Sequence, residues 1–193
     1  MGRSKANLVE PAAVTLRSDV VRIEQGREKT FMEEQGFIES RGEMERLLNE
    51  EEVGYLGLSL DGKPYVVPLN YSYADGKIQF HCGFKGKKLD YLKRNPDVCF
   101  TVARQPGDVR DHAGGQPCHV DSDSVICYGR AQVLEEMDER ARALNIFNRR
   151  YRPGAPDLSV ERILKCCVVE ITIREMTGRQ EREKKKTCWR HVF

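Results

Sequence analysis

Two Asp-Gly pairs, Asp61-Gly62 and Asp75-Gly76, constrain the fold of this chain more than any other feature of its sequence. They separate three short runs rich in apolar and β-branched residues, at 53–60, 64–73 and 78–81. Both residues of an Asp-Gly pair tolerate a positive φ angle, so the pair is preferred in two-residue hairpin turns. The pattern predicts three antiparallel strands that form a meander.

Further strands and helices flank this meander. A first helix is predicted after Ser40, which stands three residues before Glu43 in the spacing of a capping box. A second, short helix begins after Gly86 and ends at Asn95-Pro96, because the residue before a proline disfavours the helical conformation. Three more strands are predicted at 98–103, 124–134 and 165–173. Successive hairpins, without strand–helix alternation, indicate a mainly β (α+β) fold, a small antiparallel barrel of about six strands with flanking helices.

A third predicted helix carries five apolar residues at helical spacing. They are Met137, Ala141, Leu144, Phe147 and Tyr151, and the stripe stops at Pro153. A stripe of this kind usually packs against a core. We therefore expect core residues here and no cofactor site.

Charge and composition narrow the classes of partner. The 32 basic and 30 acidic residues leave a formal net charge of +2, so binding to nucleic acid or to an anionic membrane would need a local basic patch. No apolar run approaches the ~20 residues of a membrane span, and residues 1–24 lack the apolar stretch of a secretory signal. We expect a cytoplasmic protein that binds neither nucleic acid nor membrane.

The chain is predicted to consist of one domain with two extensions. The boundaries are an N-terminal extension at 1–39, a domain at 40–178 and a charged tail at 179–193. Trp189 and Phe193 make this tail more hydrophobic than is usual for a tail exposed to solvent. Three possibilities follow: the tail packs on the barrel, reaches across to a second subunit or is disordered.

The cysteines and histidines favour packing roles over a metal site. Seven cysteines form an odd set in a chain without an export signal, so reduced thiols are expected. His112, Cys118 and His119 share a Gly/Pro-rich loop at 104–123, but they lack the paired spacings of a structural zinc site, and no metal is expected. Five other thiols are interpreted as small buried hydrophobes, with Cys82 more suited to packing than to redox chemistry. They are Cys82, Cys99, Cys127, Cys166 and Cys167.

A candidate anion site lies where the second helix begins. The segment 82–88 leaves a strand, passes Gly83 and Gly86, and enters the helix at Lys87 and Lys88. Free backbone N–H groups at a helix N-terminus and nearby ammonium groups together suit a phosphate. The alternative is an ordinary solvated helix end, and the residues alone leave both open.

A proline in a predicted strand adds a second, weaker indication. Pro68 cannot donate a hydrogen bond to a neighbouring strand, so its strand is expected at an edge or a bulge. Such a strand offers free backbone groups to a flat heterocycle.

Eight segments occur in an order and at spacings that resemble one known family. They are Gly54–Leu58, Gly62–Asn70, Asp75–Ile78, Phe80–Cys82, Gly86–Asp90, Asn95–Phe100, Ser124–Ile126 and Gly129–Ala131. Over about residues 40–180 the chain is similar to the pyridoxamine 5'-phosphate oxidase-like FMN-binding split barrels, and among them to the 5-nitroimidazole-resistance proteins.

The resemblance implies a six-stranded split barrel that forms a homodimer, with one FMN in each of two interface clefts. It also implies a set of cofactor-binding positions. The basic pair that holds the FMN phosphate is matched by Lys87 and Lys88, and the strand along the isoalloxazine ring is matched by Val67, Pro68, Leu69 and Asn70. The strand end beside the cofactor is matched by His81 and Cys82. A further strand that approaches the flavin is matched by Ser124 and Val125.

The expected activity follows from the resemblance together with the chemistry of these residues. FMN supplies electron transfer, and His81 is the candidate catalytic residue because an imidazole can give or take a proton near neutrality. We expect an FMN-dependent reductase of small acceptors such as nitroaromatics, with a small-molecule electron donor. The alternatives are a non-enzymatic flavin-binding module or a heme-binding one that uses His191. Pyridoxamine phosphate oxidation is less favoured, because the extra basic residues for a phosphorylated substrate were not found.

Overall fold

A computed structural model describes residues 38–105, 121–182 and 185–193. Within these residues the chain forms nine strands and four helices. In chain order they are β1 (Ile38–Glu39), α1 (Gly42–Glu50), β2 (Val53–Leu60), β3 (Lys63–Asn70), β4 (Ser72–Ala74), β5 (Lys77–Cys82), α2 (Lys87–Arg94), β6 (Asp97–Arg104), β7 (Ser122–Val133), α3 (Met137–Tyr151), α4 (Val160–Ile163), β8 (Cys167–Arg182) and β9 (Lys185–Val192).

The strands form one sheet in the order β1-β9-β8-β7-β6-β2-β3. Strand β5 pairs with β4 and with the first half of β8, while β9 pairs with the second half of β8. Among the described strands every pairing is antiparallel except that of β1 with β9. Strand β3 ends the series and pairs only with β2 within the described residues, so the sheet is not closed.

Both Asp-Gly pairs form the predicted hairpin turns. Asp61 and Gly62 have φ angles of 50° and 72°, and Asp75 and Gly76 have 51° and 75°. Two successive positive φ angles match the right-handed twist of the flanking strands. The turns fix the register of β2 with β3 and of β4 with β5.

The main core lies inside the curved sheet and under α1. The first helix contributes Met44 and Leu48, which are fully buried, and the ring of Tyr71 packs edge-on against Phe100 with centroids 4.8 Å apart. A smaller cluster forms where α3 and α4 cover the opposite face of β8. It consists of Leu134, Ala143, Leu144, Ile163 and Val168. Strand β8 is therefore buried on both faces in its first half.

The predicted fold class, mainly β with flanking helices and an antiparallel split barrel, is confirmed. More strands are found than the six predicted, because the run at 64–73 divides into β3 and β4 and because β1 and β9 join the sheet. The predicted capping box is wrong. Helix α1 begins at Gly42, its N-cap residue is Arg41, and no side chain there makes a capping hydrogen bond.

Part of the predicted tail belongs to the sheet. Strand β8 continues to Arg182, and β9 pairs with it from Lys185 to Val192. The side chain of Phe193 lies under the guanidinium of Arg41, 4.8 Å from the ring centroid, and so contacts the start of α1. The division into 1–39, 40–178 and 179–193 stays a prediction. Among the described residues, no helix is both long and apolar enough to cross a membrane.

Candidate functional site

An open cleft of about 390 Å³ lies between the ends of β3 and β5 and the last two turns of α3. Its walls are formed by Glu52, Leu69, Asn70, His81, Phe147 and Tyr151. Apolar surface from Leu69 and Phe147 therefore faces polar groups from the other four residues. This combination is typical of a site for a small organic molecule.

Strand β3, which forms one wall of the cleft, lies at an edge of the sheet, as the position of Pro68 predicts. Along this strand Val67 and Leu69 pack partly against the core, while Pro68 and Asn70 are exposed. The Asn70 amide donates to the carbonyl of Glu52 over 3.0 Å, which fixes the side chain at the mouth of the cleft. One backbone edge of β3 is thus directed away from the sheet.

His81 stands at the end of β5 and opens into the cleft. Its ring meets that of Phe147 edge-on, with centroids 4.7 Å apart. Partial burial by the surrounding atoms and the positive charge of Lys88 lower the pKa of the imidazole. His81 is therefore mostly neutral at neutral pH, and a neutral imidazole has one donor and one acceptor nitrogen.

Tyr151 joins α3 to the strands below it. Its hydroxyl accepts a hydrogen bond from the backbone N–H of Tyr71 over 3.3 Å and lies 3.0 Å from the carbonyl oxygens of both Tyr71 and Glu52. The hydroxyl has a single proton, so it donates to one of these carbonyls at a time. These contacts hold the end of α3 over the cleft.

The predicted anion site lies beside this cleft. Gly86, the N-cap residue of α2, has a φ of 144°, in the range that favours glycine. The N–H groups of Leu89 and Asp90 donate to the Gly86 carbonyl. The N–H groups of Lys87 and Lys88 precede these bonds in the first turn, where a helix leaves donors free for an anion.

The two lysines of this turn have different surroundings. The ammonium of Lys87 lies over the rings of Tyr65 and Tyr91, 4.4 and 5.5 Å from their centroids. That of Lys88 lies 5.9 Å from the ring centroid of Phe80, and its charge lowers the pKa of His81. Lys88 is therefore electrostatically coupled to the cleft, whereas Lys87 is held against β3.

A buried carboxylate beneath the cleft attaches α3 to the sheet. Glu170 of β8 is only 1% exposed, and its oxygens lie 2.6 Å from the Lys77 ammonium and 2.9 Å from the Arg142 guanidinium. Burial alone would raise the pKa of Glu170, but hydrogen bonds from Lys77, Arg142 and Gln79 lower it below its usual value. Since Arg142 belongs to α3, this network positions the helix that carries Phe147 and Tyr151.

The structure brings most of the predicted site residues together. The segment Val67 to Asn70, His81, Cys82 and the two lysines all belong to the β3, β5 and α2 end of the sheet. Ser124 and Val125 lie elsewhere: Val125 is buried in the main core, and both line a small crevice beside α1 and Trp189. Their assignment to the cofactor stays a prediction, as do the others.

Three residues of the cleft were not predicted to belong to a site. The helical stripe was expected to be core, and this holds for Leu144, but Phe147 and Tyr151 line the cleft. Glu52 carries no sequence signal, since it is one of three consecutive glutamates before β2. The only available signal was that the stripe ends in two aromatic residues.

One other sequence-derived candidate, His191, lies away from the cleft. It is in β9, where its ring packs edge-on against Phe193 at 4.7 Å. His112, Cys118 and His119 fall outside the described residues.

Comparisons with known proteins agree on one family. The family model described as pyridoxamine 5'-phosphate oxidase matches residues 40–180. A candidate 5-nitroimidazole antibiotic resistance protein from Bacteroides thetaiotaomicron is 29% identical, with a TM-score of 0.64 over 73% of this chain and 84% of that one. A FAD-binding protein from Mesorhizobium loti is 26% identical, with a TM-score of 0.54 over 74% and 96%.

A more distant structure shares the fold. The FAD and heme binding protein from Mycobacterium smegmatis is 14% identical and has a TM-score of 0.67 over 80% of this chain and 83% of that one. No curated protein matches the sequence. Since the family model spans most of the chain and the solved structures share its architecture, this protein belongs to the pyridoxamine 5'-phosphate oxidase family.

Proposed function

We propose that this protein binds FMN in the cleft between β3, β5 and α3 and reduces small acceptors such as nitroaromatic compounds. The observation that carries the proposal is the joint position of two features. The helix start at Gly86, Lys87 and Lys88 has free N–H groups and positive charges that suit an anion, and Lys87 contacts the edge strand β3, which borders the cleft. Similarity to a candidate nitroimidazole resistance protein and to a FAD-binding protein supports this choice of ligand and substrate.

The residues present fit a flavin mononucleotide. The phosphate would be held by the first-turn N–H groups of α2 and by the ammonium groups of Lys87 and Lys88. The flat ring system would lie along Val67 to Asn70, where β3 has an unpaired edge and the apolar side chain of Leu69. When bound, FMN would supply transfer of two electrons from a reduced nicotinamide donor to the acceptor.

The protein side chains would orient the acceptor and manage protons. Reduction of a nitro group to a nitroso group takes up two electrons and two protons and releases water. His81 would give one of these protons, because it opens into the cleft. Its lowered pKa favours the neutral ring, so the imidazole would take up a proton from solvent and pass it on to the acceptor. Phe147 holds the imidazole by edge-on ring contact, and Asn70 and Tyr151 offer polar groups in the same cleft.

A second copy of the chain is the partner that the exposed sheet surface favours. On the outer face of β2 and β3, Val53, Tyr55 and Val66 are 44%, 45% and 61% exposed. The strand registers place Tyr55 opposite Pro68 and Gly57 opposite Val66, so these side chains form one continuous apolar surface. Such surfaces mark interaction sites. Because this surface borders the cleft, a homodimer would enclose the flavin. Light scattering measures the molar mass of the purified protein in solution and so tests for the dimer.

The absorbance spectrum of the purified protein tests the cofactor. Flavin absorbance bands are expected, and denaturation should release the flavin as FMN. The protein should also oxidise reduced nicotinamide when a nitroaromatic acceptor is present. Bound flavin that no donor reduces would instead support a non-enzymatic flavin carrier. A Soret band would support a heme-binding module, with His191 as the first ligand to replace.

A further inference from the structure

Cys82 and Cys167 stand directly opposite each other in neighbouring antiparallel strands. Cys82 is the last residue of β5, Cys167 is the first residue of β8, and the register pairs them. Residues opposite each other in an antiparallel pair project to the same face, with Cα atoms about 4.5–5.5 Å apart. A disulfide accepts Cα separations of about 4.4–6.8 Å, so this register brings the two residues within the Cα range that a disulfide needs.

The two thiols also interact electrostatically. Cys167 is among the groups that raise the pKa of Cys82, and the pair lies where the main core meets the end of the sheet. Cys167 is buried and Cys82 is half-buried, so one of the two sulfur atoms is accessible to a small reagent.

A second cysteine pair shows that this arrangement is specific. Cys99 and Cys127 also belong to neighbouring antiparallel strands, but the register is offset by one residue. Cys127 pairs with Phe100, and Cys99 pairs with Tyr128. Because successive side chains of a strand alternate between its faces, these two sulfur atoms lie on opposite sides of the sheet and cannot be joined.

We propose that Cys82 and Cys167 form a reversible dithiol–disulfide pair that is oxidised by peroxides. The accessible Cys82 thiolate attacks one peroxide oxygen, which breaks the O–O bond and gives a sulfenic acid and water. The Cys167 thiol then displaces the sulfenic oxygen as a second water. Two S–H bonds are lost, one S–S bond forms, and hydrogen peroxide is reduced to two water molecules. This assignment revises the packing role expected for Cys82.

The disulfide would tether a functional segment. Cys82 immediately precedes the turn at 83–86 that leads to the N-terminus of α2, so the bond would join the base of this turn to β8. The thiol is not strongly activated. Burial raises its pKa, neighbouring Cys167 and Cys166 add to this, and the charge of Lys88 opposes it. Oxidation is therefore expected to be slow at neutral pH and faster as the pH rises.

Peptide mapping tests the proposal independently of flavin binding. The full chain carrying Cys166→Ala is treated with hydrogen peroxide, free thiols are alkylated, and the protein is digested with trypsin without reduction. The substitution is needed because cysteines 166 and 167 share the tryptic peptide 166–174. We expect peptide 78–85 joined to peptide 166–174, separated again by dithiothreitol, with Cys99 and Cys127 unlinked in the same map.

Three variants complete the design. Cys82→Ser and Cys167→Ala should each abolish the linked peptide, while Cys188→Ser should leave its yield unchanged. Circular dichroism of each variant shows whether the sheet is retained. Full alkylation of both thiols after oxidation, or oxidation of Cys82 to a sulfinic acid without linkage, would overturn the proposal. A linkage between two chains would do the same.

Discussion

Two buried carboxylates, Glu170 and Asp123, are held by the same kind of contact at different places in the sheet. Glu170 is 1% exposed and Asp123 is 4% exposed, and each binds two cationic side chains. For Glu170 the cations are Lys77 of β5 and Arg142 of α3. For Asp123 they are Arg104 of β6 and Arg182 of β8, at 3.0 and 2.7 Å.

The difference lies in what each carboxylate connects. Asp123 joins one strand to its two neighbours in the sheet, whereas Glu170 joins the sheet to the helix that forms one wall of the cleft. Similar electrostatics therefore stabilise the scaffold at one place and position one wall of the cleft at the other. We call these two regions the scaffold end, around Asp123, and the cleft end, around Glu170. Ligand binding is expected to depend on the cleft end alone.

The largest effect is expected at the start of α2. Replacing both Lys87 and Lys88 by alanine should weaken FMN binding by several kcal/mol, since each charge-assisted contact contributes about 1.5–3 kcal/mol. Titration of flavin-free protein with FMN, followed by flavin fluorescence, measures the change.

A matched control exists on the same helix. Lys93→Ala combined with Arg94→Ala removes the same charge from the last turn of α2, where Arg94 makes only an exposed pair with Asp61. FMN binding should be nearly unchanged in this variant. Equal weakening in both double variants would show that overall charge, and not the helix N-terminus, holds the phosphate.

The next effect separates the two carboxylates. Glu170→Gln and Asp123→Asn should each lower the free energy of unfolding by about 3 kcal/mol, because each substitution removes a buried carboxylate charge that two cationic side chains contact. This loss is at the low end of the range for removing one partner of a buried ion pair, because the cationic side chains reach solvent. Urea denaturation measures both losses.

Only one of these variants should affect the ligand. Loss of the Arg142 contact weakens the attachment of α3 to β8, so Glu170→Gln should also weaken FMN binding, by about tenfold. Asp123→Asn should leave FMN affinity unchanged. If FMN affinity falls equally in both variants, the distinction between the two ends of the sheet is wrong.

The sequence predicts the features that depend on adjacent residues, and it does not predict the pairing of segments that are far apart along the chain. The bounds of β2 are as predicted, and Asp61 and Asp75 have the positive φ angles that their turns require, because these features depend on adjacent residues. Strand β9 was not predicted, since its lysine-rich segment shows no apolar alternation. Its place is set by backbone pairing with β8.

The candidate site likewise has some features that the sequence predicts and others that it does not. The glycine turn at Gly86, where we propose an anion site, and the edge position of Pro68 could be derived from residue types, because glycine and proline act directly on the backbone. Phe147 and Tyr151 could not, since helical periodicity marks an apolar face without showing whether a core or a cleft lies opposite. The contacts of Glu170 with β5 and α3 are also invisible in the sequence, because its partners are far away along the chain.

A smaller effect is expected for the hydroxyl of Tyr151. Tyr151→Phe leaves the buried N–H of Tyr71 without its acceptor, which should lower the free energy of unfolding by about 1–2 kcal/mol. Tyr128→Phe is the control, because Tyr128 is 48% exposed. Equal stability of the wild type and Tyr151→Phe in urea would mean that this hydroxyl does not hold α3.

The smallest effect concerns His81 and depends on pH. Its pKa is lowered in the folded protein from the usual 6.5, so the unfolded chain binds the proton more readily. Stability should therefore fall as the pH drops through 6.5 towards the folded pKa, and this part of the loss should vanish in His81→Gln. Screening in the open cleft limits it to a few tenths of a kcal/mol.

A direct measurement of the His81 pKa by NMR separates its two causes. Burial is the larger cause and Lys88 the smaller, so Lys88→Met should raise the pKa only part of the way to 6.5. Complete recovery would assign the whole shift to the lysine, and no change would mean that Lys88 does not act on the cleft. A partial rise would show that the helix start predicted to bind phosphate and the candidate proton donor share one electrostatic environment. Asp123→Asn, at the scaffold end, should leave the pKa of His81 unchanged.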